Sequence, residues 1–136
     1  MEIEGGCYCG AVRYKTDSTA LFKGMCFCRE CQYISGGGAN YVMGVSEAGF
    51  EYTKGEPKAF TRSDLDNPVT REFCADCGTH LLAKGKAMPG ALMLKAGTLD
   101  DPSVFESPQM AIFTMDLQPF HQVPDGIPSF ERGPGG

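Results

Sequence analysis

Seven cysteines in three short clusters are the residues of this chain best suited to chemistry. Thiolates two or three positions apart can point at one centre and bind a tetrahedral zinc ion with bonds of about 2.3 Å. Seven ligands divide naturally into four, which would close a structural site, and three, which would leave one coordination position open for chemistry. The first cluster is Cys7 and Cys9, the middle cluster or triplet is Cys26, Cys28 and Cys31, and the last cluster is Cys74 and Cys77.

The clusters can be combined in two ways. One partition joins the first and last clusters in a four-thiolate site and leaves the triplet to hold a second metal. The other builds a zinc ribbon from Cys28, Cys31 and the last cluster. That ribbon would leave three thiols without a role, which are Cys7, Cys9 and Cys26. The ligand count favours the first partition, and the ribbon remains the alternative.

Cysteines can also form a disulfide framework, which needs an oxidising compartment and usually an even number of cysteines. The first ten residues have neither a positively charged start nor an apolar stretch, so we expect no secretory signal. No later window is apolar enough to span a membrane. We therefore expect a cytoplasmic, soluble protein with metal sites, and redox-active thiols are the remaining alternative.

Length and charge limit the other functions. A chain of 136 residues is long enough for one domain with its own core. The net charge of −5 and the lack of any Lys/Arg run argue against nucleic acid and anionic membranes as partners, because neutralising phosphates supplies most of that affinity. We expect residues 1–130 to form the domain and residues 131–136, rich in Gly and Pro, to form a disordered tail.

The hydrophobic pattern predicts a mostly β chain. Short helical turns are predicted only after Cys28 and at 102–105, where Asp100 or Asp101 could cap and Pro102 suits the first helical position. Alternating or β-rich stretches predict strands at 11–15, 39–45, 50–53, 58–62, 70–73, 80–83 and 91–96.

Several other polar residues have both a structural and a functional interpretation. We expect His80 on a sheet face. His121 lies in a loop flanked by prolines and could carry a proton near neutral pH, although a structural loop histidine is the simpler interpretation. Arg29 and Lys23 lie near the triplet and could pair with substrate carboxylates, but solvated loop charges are again the simpler interpretation.

Four motifs follow one another along nearly the whole chain. They are Gly5-Gly6-Cys7-Tyr8-Cys9-Gly10-Ala11-Val12-Arg13-Tyr14, the triplet, Phe73-Cys74-Ala75-Asp76-Cys77-Gly78-Thr79 and Gly97-Thr98-Leu99-Asp100-Asp101. This combination resembles the glutathione-dependent formaldehyde-activating enzyme family, whose relatives include centromere protein V. The resemblance implies a small β-tent domain of mostly antiparallel sheets with zinc-binding knuckles.

The resemblance also implies a pair of zinc ions in each chain and assigns their ligands. One position departs from the family, because the residue between the first two cysteines of the triplet is commonly His there and is Phe27 here. Structural zinc would be held by Cys7, Cys9, Cys74 and Cys77, and catalytic zinc by Cys26, Cys28 and Cys31.

The activity implied by the resemblance is that of a carbon–sulfur lyase, which joins formaldehyde and glutathione to S-hydroxymethylglutathione or reverses that reaction. The implied partner is a small thiol, such as glutathione, or its adduct. Zinc held by three thiolates is a soft, weak Lewis acid that suits a further sulfur ligand. Two alternatives are a non-catalytic zinc module of the same fold that binds a protein, and a thiol redox or metal-handling protein.

Overall fold

The computed structural model describes residues 2–17 and 19–134, and most of its regular structure is β-strand. The α-helix of these ranges, α1, spans Arg29–Ser35. The strands, β1 to β10 in chain order, are Glu2–Gly6, Arg13–Asp17, Phe22–Cys26, Asn40–Ser46, Phe50–Lys54, Lys58–Thr61, Thr70–Phe73, His80–Lys84, Ala91–Lys95 and Met110–Ile112. Within the described ranges, no helix combines the length and the apolar character that crossing a membrane requires.

A small sheet of three strands, in the order β1-β2-β5, forms one layer. Its strands pair antiparallel, and Gly6 lies opposite Arg13 where β1 and β2 meet their connection. That connection carries the first cysteine cluster. Tyr14 of β2 is fully buried and stacks on Phe50 of β5, with ring centroids 5.2 Å apart.

A larger sheet has seven strands in the order β10-β3-β4-β9-β8-β7-β6. All neighbouring pairs are antiparallel except β10 and β3, which run parallel. The triplet begins at Cys26, the last residue of β3, and the last cysteine cluster lies in the turn between β7 and β8. The large sheet therefore positions five of the seven cysteines, and the small sheet positions the other two.

The main core brings apolar side chains of both sheets together, which is the largest favourable contribution to folding. The backbones also approach closely at Gly5, where a Cβ atom would lie only 2.3 Å from the carbonyl oxygen of Thr98. Glycine is therefore required at that crossing. Large buried members of the core are Tyr14 and Val12 from the small-sheet side and Met43, Val45, Leu81, Leu82, Leu92 and Leu94 from the large sheet.

The prediction of a small, mostly β domain of antiparallel sheets is confirmed, with the parallel β10 as a local exception. Each of the seven predicted stretches overlaps an observed strand, whereas β1, β3 and β10 had no prediction. The helical turn predicted after Cys28 is α1, whose C-cap is Gly36 with φ 84°. The turn at 102–105 is a 3₁₀ helix whose Ser103 N–H donates to Asp101 Oδ1 over 3.1 Å.

The predicted tail at 131–136 is described only up to residue 134, and residues 135 and 136 lie outside the described ranges. Backbone hydrogen bonds join its first residues to the segment after β10. The N–H of Met115 donates to the carbonyl oxygen of Glu131 over 3.3 Å, and the N–H of Phe113 donates to that of Arg132 over 3.0 Å.

Candidate metal centres

The first and last cysteine clusters meet where the two sheets come together. The sulfurs of these four residues all lie within 4.8 Å of one another. Cys9 Sγ is 3.6 Å from Cys7 Sγ and 3.8 Å from Cys74 Sγ. A tetrahedral ion with bonds of about 2.3 Å would space its sulfurs about 3.8 Å apart. The observed separations therefore fit such an ion.

Both clusters are tight turns that direct a backbone N–H at a sulfur. Val12 N–H donates to Cys7 Sγ over 3.3 Å, and Cys77 N–H donates to Cys74 Sγ over 3.5 Å. Such bonds favour a thiolate over a thiol, because they stabilise the negative charge. Each turn ends at a glycine in the left-handed region that other residues rarely adopt, Gly10 (φ 81°) and Gly78 (φ 79°).

The triplet forms at the junction of β3 and α1. Cys26 ends β3, Cys28 is the N-cap of α1, and Cys31 lies in the first helical turn. Cys28 Sγ accepts from the Cys31 N–H over 3.2 Å, and the three sulfurs all lie within 4.8 Å of one another. Cys26 and Cys31 are buried while Cys28 is half-buried. Cys28 is therefore the member of the triplet that is most open to solvent.

The structure thus groups the seven sulfurs as four and three. Cys28 and Cys31 lie with Cys26 and not with the last cluster, so the arrangement of a zinc ribbon is not the one found. All seven thiols are free, and none forms a disulfide.

The thiols of the triplet differ in their pKa values. Hydrogen bonds from the Cys26 and Cys28 thiols lower the pKa of the Cys31 thiol far below its usual range. Hydrogen bonding to Cys28 and Cys31, together with burial, raises the pKa of Cys26. A bound divalent ion would take the place of these shared protons as the positive charge among the sulfurs.

Two buried polar side chains lie beside the triplet. Asn40 is opposite Cys26 in the ladder between β3 and β4, and after the two thiols its amide also lowers the pKa of Cys31. The Asn40 amide nitrogen is buried and has no hydrogen-bond partner among the described residues. Lys95 is only 9% exposed, and burial lowers its pKa while the nearby Cys31 raises it.

The four-cysteine site and the triplet could each hold a metal ion, and their sulfur ligands fit zinc. Sulfur-only donor sets in a tetrahedral arrangement are typical of zinc and of iron–sulfur sites rather than of hard cations. The unpaired Asn40 amide supports this fit, since thiolates of a metal-loaded triplet would offer it an acceptor.

The two histidines lie in different surroundings. His121 Nδ1 accepts from the Gln118 N–H over 2.9 Å, and its Nε2 lies 2.6 Å from the carbonyl oxygen of Gly37. Both ring nitrogens are engaged with backbone, as in a structural loop histidine. His80 begins β8, its ring lies 5.2 Å from that of Phe73, and its Nδ1 is buried without a partner among the described residues.

Lys23 and Arg29, the two cations that lie near the triplet in the sequence, already have partners. Lys23 Nζ lies 2.7 Å from a carboxylate oxygen of Glu106. The Arg29 guanidinium lies 4.9 Å from the ring centroid of Tyr33 and donates to the Gln32 side chain. Neither side chain is held ready for a substrate carboxylate.

Two surface cavities flank α1. One, of about 510 Å³, lies between α1 and the β6–β8 side of the large sheet and is lined by Glu30, Tyr33, Arg71 and His80 among others. The other, of about 600 Å³, lies towards the C-terminal loop, and its lining includes Gln32, Gly37 and Phe120. Tyr33 lines both cavities.

Sequence reasoning missed Asn40 and Lys95 at the triplet. Their nearness to the sulfurs depends on strand register, which spacing along the chain does not reveal. One available signal is a lysine that directly follows Leu92-Met93-Leu94, since a charge in an apolar strand is unusual unless it has a partner.

Comparison with known proteins adds sequence evidence to this geometry. A model of the glutathione-dependent formaldehyde-activating enzyme family matches residues 2–116. A Halomonas elongata protein named "Putative glutathione-dependent formaldehyde-activating enzyme" is 30% identical over 86 residues. That match covers 60% of this chain and 55% of the Halomonas protein, so this chain spans about half the length of the curated relative it matches.

The fold has a solved counterpart in a Rhodobacter sphaeroides protein whose crystal structure was determined in structural genomics. The two superpose with a TM-score of 0.62 at 16% identity, over 78% of this chain and 97% of that chain. This likeness concerns the fold alone. The family match covers most of the chain and includes all seven cysteines. The chain belongs to the glutathione-dependent formaldehyde-activating enzyme family.

Proposed function

We propose that this protein is a zinc-dependent carbon–sulfur lyase that acts on a small thiol–aldehyde adduct such as S-hydroxymethylglutathione. The observation that carries the proposal is the convergence of three free thiols, Cys26, Cys28 and Cys31, within 4.8 Å in a chain of this family. Three ligands leave a tetrahedral ion one open position, as in catalytic zinc sites.

In this proposal the triplet holds catalytic zinc and the four-cysteine site holds structural zinc. Zinc on three thiolates would supply a position for a further sulfur ligand and lower the pKa of an incoming thiol. Cys28 would define the approach to that position, because it is half-buried while its two partners are buried.

The proposed reaction cleaves or forms one bond. In the cleavage direction the carbon–sulfur bond of the adduct breaks, its electron pair stays with the sulfur, and the hydroxymethyl carbon becomes formaldehyde. The hydroxyl proton ends on the departing sulfur, so the products are a thiol and an aldehyde, and no oxidant or reductant is needed. Phe27 has no ionisable group and is buried in an apolar cluster with Met25 and Ala111. The side chain at this position therefore transfers no proton in the proposed reaction.

The proposed location is the cytoplasm, since the activity needs reduced thiols. All seven cysteines are free, and sulfurs this close together would be open to oxidation in a secretory compartment.

Exchange NMR tests the proposal directly. Formaldehyde, glutathione and their adduct give separate signals, and the wild-type protein should exchange them faster than buffer at equal concentrations. Cys28→Ser should reduce the enhancement to the buffer rate while the four-cysteine site keeps its zinc, which metal analysis can check. The same measurement with cysteine or cysteinylglycine in place of glutathione would identify the preferred thiol. The lyase proposal would be contradicted if wild-type protein with zinc in both sites accelerated the exchange of formaldehyde with none of these thiols.

A second candidate is a non-catalytic module that binds a protein. Three exposed aromatic rings around the two cavities favour it. Tyr33 of α1 is 78% exposed and lines both cavities, Phe60 (56% exposed) lines one of them, and Phe120 (70% exposed) lines the other. The same NMR measurement separates the candidates, since a binding module would leave the exchange rate at that of buffer.

A further inference from the structure

We propose that Lys95 and Asn40 are positioning residues of the triplet: in the metal-loaded site the Lys95 ammonium is the counter-charge of the sulfurs, and the Asn40 amide donates to Cys31. This inference rests on the proposed function, because it takes the triplet to be a metal site. It assigns a role to two side chains that are not themselves ligands.

Strand register places both side chains on the same face as the triplet. Asn40 lies opposite Cys26 in the β3–β4 ladder, and Lys95 lies opposite Val42 in the β4–β9 ladder. Directly opposed residues share a sheet face, and so do residues two apart on one strand. Cys26, Asn40 and Lys95 therefore project from one face, and α1, which carries Cys31, packs against β4.

The burial of most of the Lys95 side chain favours a negative partner for its ammonium. Moving an ammonium out of water is unfavourable unless an opposite charge compensates for it. Lys95 is only 9% exposed, and no ion pair or side-chain hydrogen bond of Lys95 occurs among residues 2–17 and 19–134. A buried charge of this kind is unusual in a strand that otherwise packs into the core.

Two carboxylates of the surrounding elements are engaged with other cations. Glu30, beside the triplet on α1, lies 3.0 Å from Arg71 Nη2. Glu72, on the far side of the sheet, lies 3.1 Å from Lys84 Nζ. The triplet sulfurs act to raise the pKa of Lys95, against the lowering caused by burial and by Arg71, so the negative charge near this ammonium is that of the triplet.

The charges of a loaded triplet match this arrangement. Three thiolates and one Zn²⁺ leave a net charge of about −1, and one ammonium balances it. The Asn40 amide nitrogen, buried and without a partner among the described residues, adds a donor next to Cys31. Side chains that contact the metal ligands without binding the metal orient those ligands, and they typically raise the affinity for the metal by 10- to 100-fold.

The test compares Lys95→Met with wild-type protein purified with its metals. Met keeps the length and apolar stem of the side chain but removes the charge, so it separates electrostatics from packing. Competition with a chromogenic chelator should release the triplet zinc at about 10- to 100-fold lower chelator concentration, while the four-cysteine site is unchanged. Lys95→Arg, which keeps the charge, should restore most of the affinity. Lys54→Met is the matched control, because Lys54 is exposed.

Cadmium-113 NMR of the metal-exchanged protein gives a second readout. Wild-type protein should show one resonance for each site, and Cys28→Ser identifies that of the triplet. Lys95→Met and Asn40→Asp should each move the triplet resonance and leave the other in place. If Lys95→Met does not fold, Lys95→Gln and Asn40→Asp provide the same comparison.

The outcomes separate this inference from the proposed function. Wild-type protein with metal only in the four-cysteine site would overturn both proposals. Metal in both sites, with the same chelator profile and the same triplet resonance in Lys95→Met as in wild type, would overturn the role of Lys95 and leave the lyase proposal standing. A weakening that Lys95→Arg does not restore would also count against a counter-charge.

Discussion

At the scale of single residues, a backbone N–H donates to a cysteine sulfur in each of the three clusters. Val12, Cys31 and Cys77 each direct an N–H at a sulfur of their own cluster, at distances of 3.2 to 3.5 Å. These donors are fixed by tight turns and by the first turn of α1, so they cost no side-chain entropy when a ligand becomes charged. The donor lies three residues after the accepting cysteine in the triplet and in the last cluster, and five residues after it in the first cluster.

His80 should make the stability of the protein depend on pH. Burial lowers the pKa of its imidazole in the folded chain, and Lys95 and Arg71 add repulsion, whereas the unfolded chain titrates near 6.5. The unfolded state then binds the proton more readily, so stability is lost as the pH falls below about 6.5. The melting temperature of wild type should fall more steeply between about pH 7 and pH 5 than that of His80→Gln. The cysteines are the same in both proteins, so their titration does not affect the comparison. An equal change of melting temperature with pH in the two proteins would contradict the prediction.

At the scale of elements, α1 is held in place by Gln32, which is 4% exposed. Its Nε2 donates to the carbonyl oxygens of Phe27, over 2.8 Å, and of Asp116, over 2.9 Å. One side chain thus joins the helix that carries Cys31 to the residue before Cys28 and to the segment after β10. The triplet geometry depends on this connection.

Gln32→Ala should therefore destabilise the fold by about 2–3 kcal/mol, because it leaves two backbone carbonyls near the helix without their donor. Urea denaturation followed by circular dichroism measures the change. Gln122→Ala is the matched control, since Gln122 is exposed and a surface substitution of this kind changes stability by less than about 0.5 kcal/mol. Equal midpoints for the two variants would show that the two hydrogen bonds contribute nothing.

The elements also show what the sequence can and cannot predict. The strand β7 was predicted with its observed bounds, because turn residues flank a short β-rich run. The strand β3 has three consecutive buried residues and no alternation, so periodicity gave no signal. The strand β10 has three residues and pairs in parallel with β3, so only long-range pairing defines it. Local patterns identify strands that alternate, and miss those that tertiary contacts create.

The same division applies to the candidate metal centres. Cysteine spacing and the family resemblance suggested which sulfurs belong together, because ligand turns are local features. The contributions of Asn40 and Lys95 depend on which residue lies opposite which in two ladders. Such pairings become visible only once the register is known.

At the scale of the whole molecule, the four-cysteine site joins the two sheets. Cys7 and Cys9 belong to the connection of the small sheet, and Cys74 and Cys77 belong to a turn of the large one. A metal bound there would connect layers whose ligands lie far apart in the chain, since Cys9 and Cys74 are 65 residues apart. The triplet, in contrast, lies within one short segment of the large sheet and α1.

Loss of the two sites should therefore affect stability differently. Cys77→Ser should lower the melting temperature by about 10 °C or more, since metal binding at a site that joins two layers contributes directly to folding. Cys28→Ser should lower it by less than about half of that amount, because its ligands are already held by β3 and α1. Calorimetry with metal analysis of each variant provides the measurement. A larger loss for Cys28→Ser would reverse the proposed division into structural and catalytic sites.

The distance between Cys9 and Cys74 along the chain has a consequence for the order in which the two sites are completed during synthesis. A ribosome exposes all three sulfurs of the triplet as soon as Cys31 has left the exit tunnel, whereas the four-cysteine site must wait for Cys77. A metal ion could therefore bind the triplet while the rest of the chain is still being made. An ion bound at the four-cysteine site would join the β1–β2 connection to a turn that was translated much later.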